Sequence, residues 1–395
     1  MNEVAIISAV RTPIGNFGGA LMDISAAELG EVAAREAILR AGLTPDRVDE
    51  AIFGSARQAG IGPNIARQIA HRAGVPQEKV AFTVNKACGS GLKSLTLAAQ
   101  SIMLGENQIV LAGGVEQMSQ IPYLLMNARW GYRLGDDTLV DSNYRDGYTC
   151  PLANMVMGET VDRLAEEYGI SRVQQDEFAA DSNQKAAAAW ARGDFDAEVV
   201  PVPVRGRKDE IEYVRRDEHP RSDSTAEKLA RLKPVFRSVD SGGTVTAANA
   251  SGITDGAAAL VLMRADIAKT EGIQPLGIIK CFASGGVAPE RMGLGPLPAT
   301  QKLMAQTGLG LNDFDLIELN EAFAAQVMIV ERELPWDPAR RNVNGGAVAL
   351  GHPTGCTGAR IVVTLLHAMQ KRDAQLGLAT LCISGGLGMS MAVER

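Results

Sequence analysis

Residues 42–54, GLTPDRVDEAIFG, align without a gap on residues 308–320, GLGLNDFDLIELN. Each copy follows a helix-spaced run and ends in a short apolar strand, so the pair reads as one structural unit used twice. Farther along, residues 110–115 (VLAGGV) echo residues 382–387 (CISGGL) in the same order, each an apolar strand that breaks into a Gly-Gly pair. Between these matches each half carries a small-residue turn opening a helix, Cys88-Gly-Ser-Gly in the first and Gly355-Cys-Thr-Gly in the second. The expectation is a duplicated α/β unit. Strands alternate with helices inside each half, which favours a mainly parallel sheet covered by helices on both faces.

Local signals agree with that plan. Val80, Phe82 and Val84 fall at strand spacing, and Leu92, Leu95, Ala99 and Ile102 then recur at helical spacing until Gly105 caps the run. Cys88 is thereby placed between a strand and a helix. Ser25 and Glu28 form a capping-box pattern at the start of the first long helix. From Ser119 to Asn249 the repeat is interrupted by a stretch of different composition, with a helical Ala-rich middle over Glu177–Arg192, and this reads as an insertion. Its residues 205–237 hold ten Lys or Arg against seven Asp or Glu, a basic segment on a chain whose net charge is −7. Solvated surface is the plain reading of such a run.

The 395 residues, 42 of them Gly and 46% hydrophobic, suit a soluble enzyme of two or three domain-sized units with an ample core. Five cysteines, Cys88, Cys150, Cys281, Cys356 and Cys382, are odd in number and form no CxxC pair, so neither a disulfide framework nor a metal site is expected. A reducing, cytoplasmic setting follows as the expectation. The N-terminal MNEVAIISA lacks the features of an export signal, and no window approaches a membrane span. The acidic net charge leaves no broad footprint for nucleic acid, although one anionic ligand can still bind a local basic site.

Four histidines make the search for a base short. His71 and His367 lie in helical runs, and His219 precedes Pro220 in the charged segment. His352 lies instead in a glycine loop, NGGAVALGHPTGCTG over residues 344–358, whose rigid backbone can aim an imidazole. Cys88, on a strand-to-helix elbow, has the placement of an exposed nucleophile. The helix N-terminus is expected to lower its pKa and to supply N–H donors to an oxyanion. An inert buried cysteine fits the local sequence equally well. Cys382 ends a strand at the position its repeat partner Val110 holds in the first half, and duplication would bring those strand ends together. Asn320 closes the strand Leu316–Leu319, where its amide suits either a bound water or ligand, or the cap of the next helix.

Six segments, Val10-Arg-Thr-Pro-Ile-Gly, Cys88-Gly-Ser-Gly, Asn249-Ala-Ser-Gly, Asn320-Glu-Ala-Phe-Ala, Gly351-His-Pro-Thr-Gly and Cys382-Ile-Ser-Gly-Gly, resemble thiolase motifs in family order across essentially the whole chain. The resemblance implies an α/β, duplicated five-layered α/β/α/β/α fold with an inserted loop domain. It divides the chain into an N-terminal half (1–118 with 250–269), a CoA-binding insertion (119–249) and a C-terminal half (270–395). It implies a homodimer or homotetramer that cleaves 3-ketoacyl-CoA with CoA, or runs the reverse Claisen condensation, within fatty acid metabolism. No permanent cofactor is implied; acyl-CoA and CoA are the partners.

By the same resemblance Cys88 is the nucleophile and acyl carrier, His352 its base and Cys382 the second acid and base. Asn320, through a water, and His352 form one oxyanion hole; the backbone N–H groups of Cys88 and Ser384 form the other. Ser251 is matched to pantetheine, Arg221 to the adenosine and phosphates, and Met157, Met292 and Phe323 to the acyl pocket. Two departures stand out. Ser384 replaces the glycine common in the family, which places a side chain and a narrower backbone range beside the nucleophile. Val156 replaces the His that precedes the first pocket methionine in many short-chain biosynthetic thiolases, and with Gly355-Cys-Thr-Gly after His352-Pro-Thr it leans the reading toward degradative, broader-range members. Two alternatives stay open, a catalytically impaired acyl-CoA-binding protein motivated by Ser384 and a decarboxylating condensing enzyme. The second cysteine argues against the latter, since decarboxylation supplies its own carbanion.

Overall fold

The computed structural model describes residues 2–206 and 210–395; residues 207–209 of the basic segment, and Met1, lie outside the described residues. Nine strands build the central sheet: β1 (Val4–Arg11), β2 (Glu50–Gly54), β3 (Val80–Val84), β4 (Ile109–Gln117), β5 (Thr254–Arg264), β6 (Gly277–Gly286), β7 (Leu316–Leu319), β8 (Leu376–Ile383) and β9 (Leu387–Glu394). Their order is β7-β8-β9-β6-β1-β5-β4-β2-β3, with the short Gly15–Asn16 segment beside β5. Read outward from the centre, β1-β5-β4-β2-β3 and β6-β9-β8-β7 follow one plan, and a parallel bridge from Ile317 to Arg341 stands where β3 pairs with β2. The antiparallel contact of β1 with β6 joins the halves.

Among the described residues eight helices are eight residues or longer: α1 (Ala26–Arg40), α2 (Ile65–Arg72), α3 (Ser90–Leu104), α4 (Met157–Glu167), α5 (Arg172–Arg192), α6 (Pro296–Thr307), α7 (Ala324–Glu333) and α8 (Thr354–Arg372). The capping box at Ser25 and Glu28 forms as the sequence predicts, satisfying two otherwise orphaned N–H groups of α1. Helices α3 and α8 make the middle layer. Leu92, Leu95 and Ile102 of the one and Val362, Leu365 and Leu366 of the other share a core with Ala258, Leu260 and Leu262 of β5 and Leu381, Met389 and Met391 of β8 and β9. The intervening residues of β5, Ala257, Ala259, Val261 and Met263, face outward onto α1 and α2. A strand buried on both faces has no polar face to show, which is why β1 and β5 read as continuous apolar runs.

The middle helices touch where the two small-residue turns begin them. A Cβ on Gly91 would lie 2.7 Å from the Ala359 nitrogen, and one on Gly358 would lie 2.3 Å from the Leu92 nitrogen, so backbone meets backbone at this crossing. Only glycine fits at either position.

Two expectations are corrected. The sheet is mixed rather than mainly parallel: three of the eight pairings among the nine strands are parallel and five antiparallel, because β5 and β9 each return alongside the first strand of their half. The second repeat match is out of register. Glu50 pairs with Val110 and Leu316 with Gly377, so Val110 corresponds to Gly377 and Cys382 to Val115. Gly113 and Gly114 sit inside β4, whereas Gly385 and Gly386 form a turn beyond β8. The likeness of the two Gly-Gly pairs is compositional.

Candidate active site

A cavity of about 280 Å³ opens where the two halves and the intervening segment meet, and Cys88, His352, Cys382 and Ser384 all line it. Cys88 stands in the turn between β3 and α3. Ala87 before it takes a φ of 46°, a left-handed conformation that costs a Cβ-bearing residue about 1–2 kcal/mol. Two side chains hold that turn. The Asn85 carboxamide oxygen accepts from the Ala87 N–H at 3.0 Å, and the Ser90 hydroxyl accepts from Lys86 N–H at 2.8 Å while donating to the Ala87 carbonyl at 2.6 Å.

The Cys88 thiol is not lowered in pKa as the helix-terminus argument predicts. Burial pushes it up; Arg57 and the backbone N–H groups of Ser384 and of Cys88 itself pull it back only in part. The helix begins at Ser90 with Gly89 as its N-cap, so the sulfur lies outside the first turn, where the dipole acts most strongly. A buried neutral thiol needs a base.

His352 lines the same cavity. Its Nδ1 lies 2.6 Å from the Thr357 hydroxyl, which donates its own hydrogen to the Pro353 carbonyl at 3.0 Å. The hydroxyl oxygen is therefore the acceptor at Nδ1, which carries the ring proton and leaves the Nε2 lone pair free. Nε2 is buried without a protein partner. Burial, reinforced by the charges of Arg57 and Arg360, lowers the His352 pKa to about 3, so the ring is neutral at physiological pH.

Cys382 sits at the buried end of β8, its thiol pushed up by burial and then by the neighbouring Cys88. Ser384 does not take a positive φ; Gly385 and Gly386 take φ of 85° and 83° in its place. Its N–H is free to point at the Cys88 sulfur, and the substitution of Ser for Gly leaves that donor in position.

Ser251, Met157, Met292 and Phe323 line the same cavity. The Asn249–Ser251 segment is laid against 322–324 by backbone hydrogen bonds from Ser251 N–H to the Ala322 carbonyl and from Ala324 N–H to the Asn249 carbonyl, at 3.0 and 2.8 Å. Phe236 packs edge-on against Phe323 at 6.2 Å between centroids, making an apolar wall with the two methionines. Asn320 stands apart from the lining. It is fully buried, and both polar atoms of its amide lack a protein partner. Arg221 lines a different cavity with Asn183, Ser224, Leu229, Leu232 and Ala247–Ala248; the latter pair is two residues along the chain from Ala250–Ser251.

Three residues that sequence reasoning passed over complete the surroundings. Thr357 fixes the imidazole from five residues farther along, in the first turn of α8. Glu116, buried after the apolar run Ile109–Val115 of β4, accepts from the backbone N–H groups of Ala56, Arg57 and Gly355 and from the Thr354 hydroxyl, fastening the 55–57 loop to the start of α8. A carboxylate in such a strand was a signal available from the sequence. Arg57 lies behind the cavity wall, and nothing in its sequence neighbourhood marks it.

Among the described residues no group of His, Cys, Asp and Glu is placed to hold a metal ion, and no helix is long and apolar enough to cross a membrane. All five cysteines are unpaired.

Comparison with known proteins follows the same lines. The thiolase N-terminal domain family matches residues 4–266 and the thiolase C-terminal domain family residues 273–395. The chain is 54% identical to an acetyl-CoA acetyltransferase of Escherichia coli over 396 residues, covering 100% of both chains. It superposes on the crystal structure of the Bacillus anthracis acetyl-CoA acetyltransferase with a TM-score of 0.97 at 45% identity, over 100% of this chain and 99% of that one. Against the human mitochondrial 3-ketoacyl-CoA thiolase the TM-score is 0.96 at 39% identity, with the same coverage.

Proposed function

The chain belongs to the thiolase family, and from that premise we propose that the cavity around Cys88, His352 and Cys382 carries out CoA-dependent cleavage of 3-ketoacyl-CoA and its reverse condensation. The protein is an acyltransferase of the thiolase type. The observation that supports this assignment of residues best is the free Nε2 of a neutral His352 in one cavity with two buried thiols.

In the thiolytic direction His352 Nε2 takes the Cys88 proton as the sulfur attacks the 3-keto carbon. The oxyanion formed there is met by the N–H groups of Cys88 and Ser384. Cleavage of the carbon–carbon bond leaves the acyl group on Cys88 and releases an acetyl-CoA carbanion, which takes its proton from the Cys382 thiol. Protonated His352 at Nε2 and a water held by Asn320 stabilise the enolate oxygen in that step; the unpartnered Asn320 amide supports this role. CoA then gives its thiol proton to the Cys382 thiolate as its sulfur displaces the acyl group from Cys88, which regains its proton from His352, a ping-pong course. In synthesis Cys382 removes the acetyl-CoA α-proton instead.

Ser251 is the reading for the pantetheine contact, and Met157, Met292 and Phe323 for the acyl wall. Arg221 is the reading for the adenosine end of CoA, supported by the short chain distance between its cavity and Ser251. Residues 119–249 form the inserted loop domain of this reading, between halves of 1–118 with 250–269 and 270–395. A homo-oligomer is supported by two separate apolar surfaces: the edge of β3, with Val80 and Phe82 exposed by 59% and 37%, and a loop tip carrying Trp130 and Leu134, exposed by 90% and 98%. Two such contacts make a tetramer where one makes a dimer. A cytoplasmic site of action in fatty acid metabolism is the accompanying reading, supported by the free cysteines.

The test is CoA-dependent loss of acetoacetyl-CoA, measured beside Cys382→Ala, followed by a chain-length series. Cleavage by the unmutated protein alone is expected. Binding of acyl-CoA without acylation of Cys88 would instead mark the catalytically impaired alternative.

A further inference from the structure

Arg57 is a buried cation with an unusual set of partners. Its Nε donates to the Asn143 side-chain oxygen at 3.1 Å and its Nη1 to the Thr354 hydroxyl at 3.0 Å, while Nη2 is buried with no protein partner within hydrogen-bonding distance. Its carbon centre lies 5.2 Å above the Tyr148 ring. Glu116 is close but spends its oxygens on backbone N–H groups and the Thr354 hydroxyl, so among the described residues no carboxylate forms an ion pair with this guanidinium. The buried arginines at 11 and 341 are, by contrast, each set against two acids. A buried charge left without a counter-ion costs several kcal/mol, and the simplest core would replace it with an apolar side chain.

The three side chains that hold Arg57, namely Asn143, Tyr148 and Thr354, all line the cavity of Cys88 and His352. The guanidinium thus stands one layer behind the reacting groups, in a dry setting where charge acts at longer range than in water. We propose that Arg57 is a positioning residue whose positive charge, in ion pair with no carboxylate among the described residues, favours the Cys88 thiolate over the thiol. The charged and titratable groups around Cys88 are Arg57, Glu116, His352, Tyr148 and Cys382. Of these Arg57 alone is a permanent cation. At Cys88 burial raises the pKa and Glu116 adds to it, while the Arg57 charge pulls it down, the direction the proposal requires; at His352 burial is the main cause and Arg57 acts beside Arg360.

The inference rests on Cys88 as the acyl acceptor, and two variants separate charge from hydrogen bonding. Arg57→Gln keeps donors for Asn143 and Thr354 but loses the charge; Arg57→Lys keeps the charge and loses the fork. Alkylation of Cys88 by iodoacetamide, followed by peptide mass spectrometry from pH 6 to 10, reads the thiolate directly. In Arg57→Gln the profile is expected to move up by about one pH unit, a tenfold slower reaction at fixed pH. The Arg57→Lys profile is expected to overlay that of the unmutated protein. A shifted Lys variant, or an unshifted Gln variant, overturns the proposal in favour of a purely structural clamp, and the Lys variant alone decides if the Gln variant does not fold. Acetyl-CoA labelling of Cys88 in the unmutated protein is the separate control: its absence defeats the nucleophile assignment, not the role of Arg57.

Discussion

The His352 ring and the Thr357 hydroxyl are joined by a 2.6 Å hydrogen bond at Nδ1, and the direction of that bond decides which ring nitrogen is left to act as a base. Thr357→Val removes the acceptor at little change in volume. A fall in kcat of roughly tenfold, the worth of about one hydrogen bond to the active tautomer, is expected with KM little changed. Steady-state thiolysis measures it, and an unaltered kcat would show that ring orientation is set elsewhere.

Cys382→Ala separates the two halves of the reaction. Proton transfer at the acetyl α-carbon should fall by about 10²–10⁴-fold, the usual reach of a positioned acid or base. Acetylation of Cys88 by acetyl-CoA needs no such proton and should persist. Deuterium uptake into acetyl-CoA from heavy water, beside mass-spectrometric labelling of Cys88, reads the two separately. Loss of both together would rule out the division of roles.

Stability should depend on pH through His352. Its pKa falls from about 6.5 in the unfolded chain to about 3 in the folded one. Between those values the unfolded chain binds the proton and the folded one does not, so stability is complete above the upper value and declines as pH falls through the window. His219 is lowered by burial and acts in the same direction. Tm measured from pH 7 to 4 should therefore fall less steeply in His352→Asn than in the unmutated protein. Parallel curves would refute the assignment of that slope to His352.

Gly358→Ala places a Cβ 2.3 Å from the Leu92 nitrogen, and backbone cannot swing aside as a side chain can. A loss of about 1–3 kcal/mol, the range for overpacking, is expected in urea unfolding. An unchanged midpoint would mean the helices move apart freely.

At the open edge of the sheet, Phe82→Lys puts a charge where an apolar strand is uncovered. Light scattering should then report a smaller assembly than the unmutated protein forms. Equal masses would place the subunit contact on another surface.

Much of this architecture could be read from the chain, and the parts that could not have identifiable causes. The gapless repeat located β2 and β7, and the Ser25 capping box located α1, because each signal is local. The Gly-Gly match misled because glycine serves opposite purposes at its two occurrences, close packing inside β4 and a positive-φ turn after β8. Eight of the ten residues assigned to catalysis or binding line one cavity; six of them come from the quoted motifs, while Met157 opens α4 and Met292 lies in the turn before α6. Arg221 lies in a neighbouring cavity and Asn320 behind the lining, since motif spacing fixes order along a chain but not depth from a surface. Burial likewise reversed the expected shift at Cys88, and no pattern of residue types around Arg57 could show that its charge would be left unpaired.

The β1–β6 seam has a consequence for a chain still being made. Cys88 belongs to the half that leaves the ribosome first, whereas His352, Cys382 and Ser384 arrive only with the second. Under the proposed mechanism the early thiol has, until the later half docks, neither its base nor the Ser384 oxyanion donor. A nascent chain of that mechanism carries no complete catalyst, and its reactivity begins only when synthesis and folding are both complete.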